Sequence, residues 1–185
     1  MINQTIYKFL SFTFALTKWI IIVIVLLTLI HFFVATIFFV EGESMQPNYE
    51  NGDALVVDRI SYLVREPRRG EAVVLKFPGD PDKKKYIKRI IGLPNETISI
   101  SAGKVYIDNK VLYETYLPKQ DVTLPNMTKK LGDDEYFFMG DNRLNSSDSR
   151  VWGQASRQYI VGRVWMRLWP VRNAGLIEQP YYILK

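Results

Sequence analysis

Residues 104–113 read KVYIDNKVLY, two short runs rich in β-branched and aromatic residues on either side of Asp108-Asn109. Asp and Asn tolerate the left-handed backbone that a two-residue hairpin loop requires, so the stretch predicts two antiparallel strands joined by a tight turn. Outward from this hairpin the same pattern recurs. ETISI (96–100), YIKRII (86–91), EAVVLKF (71–77) and ALVV (54–57) precede it, and EYFFM (135–139) and YIVGRVWMRLW (159–169) follow. Prolines and glycines punctuate these runs, and 80–85 and 117–134 read as exposed loops. Runs of helical periodicity longer than about ten residues are absent after residue 40. The pattern predicts an all-β, barrel-like or sandwich domain.

The N-terminal region is of a different kind. Trp19–Val40, WIIIVIVLLTLIHFFVATIFFV, is 22 residues without a formal charge. As a helix it would span roughly 30 Å, the thickness of a bilayer's hydrocarbon core. A cleaved secretory signal has an apolar region of only about 7–15 residues and a small-residue cleavage site, whereas this run ends in FFVEGES. Residues 19–40 are therefore expected to be a retained transmembrane anchor, with the lipid bilayer as a partner. Lys8 and Lys18 precede the run, and Glu41 and Glu43 follow it. The positive-inside rule then makes 1–18 a cytoplasmic segment and 41–185 an extracytoplasmic domain at the cell membrane. His31 lies inside the run without an acidic partner and reads as tolerated.

Composition excludes several chemistries. The chain has no cysteine, which removes thiol catalysis, thiolate metal sites and disulfides. Its pI near 9.3 comes from 24 Lys/Arg spread among 19 Asp/Glu, without a basic helix or stripe, so no nucleic-acid partner is expected. The single histidine falls in the membrane run, which leaves neither a Ser-His-Asp triad nor a His-rich zinc site. No metal and no cofactor are expected.

Three clusters remain as candidates for chemistry: GESMQPNYENGD (42–53), YIKRIIGLPNE (86–96) and MGDNRLNSSDSR (139–150). A serine nucleophile without histidine needs another base, and lysine is the alternative. Lysine serves only when neutral, so burial or neighbouring positive charge must lower its pKa from about 10.4. Lys83, Lys84 and Lys85 form a loop run that should stay solvated and protonated. Lys88 differs, because it lies mid-strand between Ile87 and Arg89 and shares a face with Tyr86 and Ile90. Taken alone it could equally be a surface lysine on an amphipathic strand. Ser44, just past the membrane run, could equally be polar punctuation in a loop.

Together, and in this order after an N-terminal anchor, the three clusters resemble the signature boxes of bacterial type I signal peptidases, above all the short, single-anchor Gram-positive kind. The likeness covers roughly 38–170, and 140–150 matches the pattern GDNRxxSxDSR at every fixed position. It implies a coiled antiparallel β-barrel-like catalytic domain and a serine endopeptidase that removes signal peptides from exported preproteins. Cleavage would follow small residues at −1 and −3. By the same resemblance Ser44 is the nucleophile and Lys88 the general base, and Met45 matches the methionine beside the nucleophile, in substrate binding. Ser146 is similar to the serine that orients the lysine amine, Asp141 and Arg143 to an ion pair under the site, and Asp148 and Arg150 to two further structural positions. Departures are Asn48 for threonine, Pro94-Asn95-Glu96 for PGD and Glu71 in RGE for RGD. Gly42 stands where some relatives have a serine that helps bind the oxyanion, which leaves that role to the Ser44 N–H. A silent pilus assembly factor with this fold would lack the serine or lysine. A self-cleaving Ser–Lys repressor would carry a helix-turn-helix in place of the membrane run.

Overall fold

The computed structural model describes residues 2–29, 34–77, 79–82, 84–118, 122–178, 180 and 182–184. One long helix, α1 (Ile2–Leu29), is followed by thirteen mostly short strands. Ile6–Thr28 is long and apolar enough to cross a membrane, and none of it is buried against the rest of the protein. The helical extent expected for 19–40 is corrected here. The helix starts near the N-terminus and takes in Lys8 and Lys18, while Ala35–Phe39 is not helical but forms strand β1. The apolar run is continuous in composition, yet its end, ATIFF, is β-branched and aromatic and finds a partner strand. His31 lies outside the described residues.

Two antiparallel sheets carry the rest. The larger is ordered β1-β2-β11-β3-β4-β9-β10, with β12 (Gly175–Leu176) added to β11. Its members are β2 (Ala54–Asp58), β3 (Ala72–Lys76), β4 (Lys85–Gly92), β9 (Glu135–Met139), β10 (Ala155–Ser156) and β11 (Ile160–Trp169). Bulges in β11 at 164–166 and 167–169 let this sheet curl into a half-barrel. The smaller is ordered β13-β7-β6-β5-β8, from β5 (Thr97–Ser101), β6 (Lys104–Ile107), β7 (Lys110–Glu114), β8 (Met127–Lys130) and β13 (Tyr182–Leu184). The fold class is thus all-β behind one apolar helix.

The hairpin at 104–113 forms as read: Asp108 and Asn109 both have positive φ, 48° and 67°, and join β6 to β7. Asn95 also takes a left-handed turn, φ 69°, where the motif's glycine would sit. The expected loop over 117–134 is corrected, since Met127–Lys130 pairs with β5 and Leu131 is buried. Alternating Met-Thr-Lys-Lys is too polar to announce a strand, and only the edge position opposite β5 creates one. One core cluster, around Ile91, Ile98, Ile107, Phe137 and Met139, joins the smaller sheet to β4 and β9. Two more, around Leu55, Ala72 and Val164 and around Val73, Leu75, Ile90 and Phe138, fill the half-barrel. Each such fully buried side chain stabilises the fold by roughly 1.5–3 kcal/mol.

Candidate active site

Ser44 sits in the loop between β1 and β2. Backbone hydrogen bonds Val40 N–H to Asp53 O and Gly52 N–H to Val40 O, both 2.9 Å, pinch the loop shut at its base. Met45 and Tyr49 plug it into the core beneath, which fixes Ser44 at the lip of the sheet. Met45 is only 1% exposed and lines neither hollow described below. An unbranched thioether beside Val40, Leu55 and Ile87 is a core filler there.

Lys88 projects from β4, where it pairs with Val73 of β3. It is 3% exposed, and its Nζ donates to Ser44 Oγ at 2.6 Å and to the carbonyl of Ile87 at 3.1 Å. Burial lowers its pKa to about 8; Asp148 and Asp141 pull it upward, and Arg150 pushes it further down. At pH 8 about half of such amines are neutral and able to take a proton from the hydroxyl in contact with them.

Residues 140–150 support both groups. Asn142 N–H donates to Ser44 O at 3.0 Å, and Asn142 Nδ2 to Glu43 O at 3.2 Å. Gly140 is required by space, because a Cβ there would lie 2.4 Å from Ser44 O and 2.2 Å from Ser146 Oγ. Asp148 accepts from Gly140 N–H at 2.9 Å and pairs with Arg150 at 2.7 Å. Its burial favours the neutral acid, but the Arg150 guanidinium outweighs this and holds the carboxyl below its usual range. Arg150 also donates to the carbonyls of Arg143 and Leu124, both at 2.7 Å.

Two expectations for this loop are corrected. Asp141 and Arg143 do not pair with each other. Asp141 takes a bidentate contact from Arg89, at 2.7 and 2.5 Å, while Arg143 pairs with Glu114 at 2.5 Å and donates to Thr123 and Tyr116 at 2.9 Å. Residues two apart on a tight loop point to different sides, and each buried charge takes the partner that its own side offers. Ser146 Oγ is buried and makes no hydrogen bond to Lys88; it lies close enough to Asp148 to favour the carboxylate there. Lys88 is held instead by the carbonyl of Ile87 on its own strand.

The sequence did not single out Arg89 or Glu114. Consecutive charged residues within the apolar run YIKRII would have flagged both Lys88 and Arg89 as buried on opposite faces of β4. Asn48, noted only as a departure, donates to Asp141 at 3.0 Å and to Tyr116 O at 3.1 Å, tying the Ser44 loop to the buried ion pair.

Two adjoining hollows of about 430 and 410 Å³ meet at the pair and share Glu41, Ser44, Tyr86 and Lys88. The first is walled by Leu75, Phe77 and Trp152, the second by Phe38, Phe39 and Ile87. Ser44 N–H donates to no described group. A hydroxyl touching a depressed lysine, beside a free N–H and between apolar hollows, suits acyl transfer to a serine.

An all-β half-barrel behind an apolar helix, carrying such a site, is the arrangement of a serine hydrolase. The family model for signal peptidase, peptidase S26, matches residues 13–169, and the chain belongs to that family. A signal peptidase I of Leptolyngbya laminosa is 39% identical over 156 residues, covering 80% of this chain and 75% of that protein. One of Bacillus caldolyticus is 36% identical over 168 residues, covering 84% and 90%. A solved structure of an Enterococcus faecalis V583 signal peptidase I aligns with 55% of this chain and 98% of its own, at 25% identity and a TM-score of 0.48. The enzyme class that goes with this membership is signal peptidase I.

Proposed function

We propose that Ser44 and Lys88 form a Ser–Lys dyad that cuts signal peptides from exported preproteins after small residues at −1 and −3. The observation that carries this reading is the 2.6 Å contact from Lys88 Nζ to Ser44 Oγ, with the amine buried and its pKa brought down to about 8. Neutral Lys88 takes the Ser44 proton as Oγ attacks the carbonyl at the end of the signal peptide. The Ser44 N–H faces the charge that develops on the carbonyl oxygen. Lys88 then gives its proton to the leaving amine, and the mature protein departs. The same amine takes a proton from water, which attacks the ester and frees Ser44. The hollows walled by Phe38, Phe39 and Ile87 and by Leu75 and Phe77 take the −1 and −3 side chains of an extended peptide; their apolar walls favour apolar residues, and the restriction to small ones is what the family resemblance implies.

In the same reading, α1 holds the enzyme in the bilayer with its N-terminal end toward the cytoplasm and the β domain outside. Lys18 falls near the middle of the stretch Ile6–Thr28, about 15 Å of helix from its nearer end, a costly place for a charged amine. The test is cleavage of a preprotein series by the full chain in detergent, varying −1 and −3 one at a time. Alanine at both positions should give a single cut, and leucine or lysine at either should abolish it. Equal cutting of all members would refute the specificity.

A further inference from the structure

The loop between β3 and β4 reads in the sequence as a plain solvated connection, yet it holds an acid with a defined set of partners. Asp80 N–H donates to Phe77 O at 3.2 Å, which closes a turn just past β3. The Asp80 carboxylate then accepts three bonds. Its Oδ1 takes the N–H of Asp82 at 2.9 Å, and its Oδ2 takes the N–H of Lys84 at 3.3 Å and the hydroxyl of Tyr86 at 2.9 Å. A short carboxylate that accepts from its own loop backbone is held in place by that loop, so it offers a fixed point to any further donor. The further donor is Tyr86, which stands outside the loop on β4. Its hydroxyl holds the Asp80 carboxyl below the usual range.

Tyr86 pairs with Leu75 across the sheet and, by strand alternation, shares a face of β4 with Lys88. Four residues line both hollows at Ser44, namely Glu41, Ser44, Tyr86 and Lys88, and among them Tyr86 alone carries a ring. That ring is the partition between the two. It is 38% exposed, so packing covers only part of it. A half-covered aromatic side chain has more than one staggered χ1 well open to it, and the bond to Asp80 selects one. Hollows of about 430 and 410 Å³ have room for far more than a methyl group, so their volume alone does not limit a bound side chain. The position of the ring where they meet does.

We propose that Asp80 is a positioning residue for substrate selection: it tethers the ring of Tyr86 as a partition between the two hollows, and this partition limits the size of the side chain accepted at −1. The inference rests on the reading of these hollows as subsites for the signal peptide. The −1 residue carries the carbonyl that Ser44 Oγ attacks, so its side chain falls where the hollows meet, against the ring. With the tether in place a methyl group fits there, and a branched side chain pushes the carbonyl away from Oγ. With the tether cut the ring leaves its well and the hollows merge beside Ser44. A branched side chain then enters with the carbonyl in place, while alanine gains nothing from the added room. Selectivity falls because the larger residue is cut faster.

The test is kcat/KM of the full chain in detergent on two preproteins that differ only in alanine or valine at −1. Wild type, Asp80→Ala, Tyr86→Phe and the double variant are compared. Tyr86→Phe deletes the hydroxyl, keeps the ring and leaves the Asp80 loop intact, so it reads the tether even where Asp80→Ala disturbs the loop. Each single variant should lower the preference for alanine over valine on the order of five-fold. The double variant should lower it no further, because either change cuts the same bond. A purely structural role for Asp80 would slow both substrates alike and leave the ratio where it was. Ratios in Asp80→Ala and Tyr86→Phe equal to that of wild type refute the tether. Effects that add in the double variant refute it too, since the two residues would then act separately. Wild type that cuts alanine and valine alike overturns the subsite reading itself, and this inference falls with it.

Discussion

Replacing Lys88 by methionine should destroy activity and yet make the folded domain more stable at neutral pH. The side chain is 3% exposed and its pKa falls from 10.5 to about 8 through burial. At about 1.4 kcal/mol per pH unit, holding a charged lysine there costs the fold on the order of 3 kcal/mol. Methionine fills a similar volume without charge, and it gives up the hydrogen bonds to Ser44 Oγ and Ile87 O, worth about 1 kcal/mol each. The net gain is about 1 kcal/mol, or roughly 2–4 °C in Tm for a domain of this size. The pH dependence has a definite sign. The unfolded chain keeps the lysine proton up to about 10.5, whereas the folded chain releases it near 8. Between those values the unfolded state binds more protons, so wild-type stability rises with pH. The advantage of Lys88→Met is therefore full below pH 8 and shrinks steadily toward pH 10.5. Thermal unfolding in detergent, followed by tryptophan fluorescence from pH 6.5 to 10.5, reads this out. A variant less stable than wild type at pH 7, or a gap that does not change with pH, would refute the argument.

Further outcomes follow from the same geometry. Wild-type kcat/KM should rise about tenfold per pH unit below 8 and level off above it, as neutral Lys88 accumulates, and a flat profile from pH 6 to 9 would count against lysine as the base. Asp141→Ala leaves the buried Arg89 guanidinium without its bidentate partner and should lower stability by about 3–5 kcal/mol, measured by denaturant unfolding. Gly140→Ala forces a carbon against Ser44 O and Ser146 Oγ, and should lower kcat on the order of 10²-fold while leaving the circular dichroism of the sheets intact.

Most strands were legible because their apolar runs are short, β-branched and separated by turn residues. The turn at Asp108-Asn109 could be read from two residues that accept positive φ. Ser44 and Lys88 could be named from the resemblance of the three motifs to a known family, not from their own surroundings in the sequence, and the structure brings them into contact. The remainder depends on tertiary context. ATIFF is as apolar as the helix before it, and only the presence of β2 makes it a strand. Met127–Lys130 is polar enough to pass for a loop until β5 lies beside it. Partners of buried charges are not written in local sequence: Arg89 meets Asp141 across 52 residues, and Arg143 meets Glu114 across 29. The burial of Met45, one residue from Ser44, depends on how the 40–53 loop folds back on the core.

The most direct test is cleavage of one preprotein by wild type, Ser44→Ala and Lys88→Ala in detergent at pH 8.5, with the new N-terminus sequenced. Wild type should release the mature protein at a single A-x-A site, and both variants should release none. Substantial cleavage by Lys88→Ala would contradict the assignment of the base, and cleavage by Ser44→Ala would contradict the account at its centre.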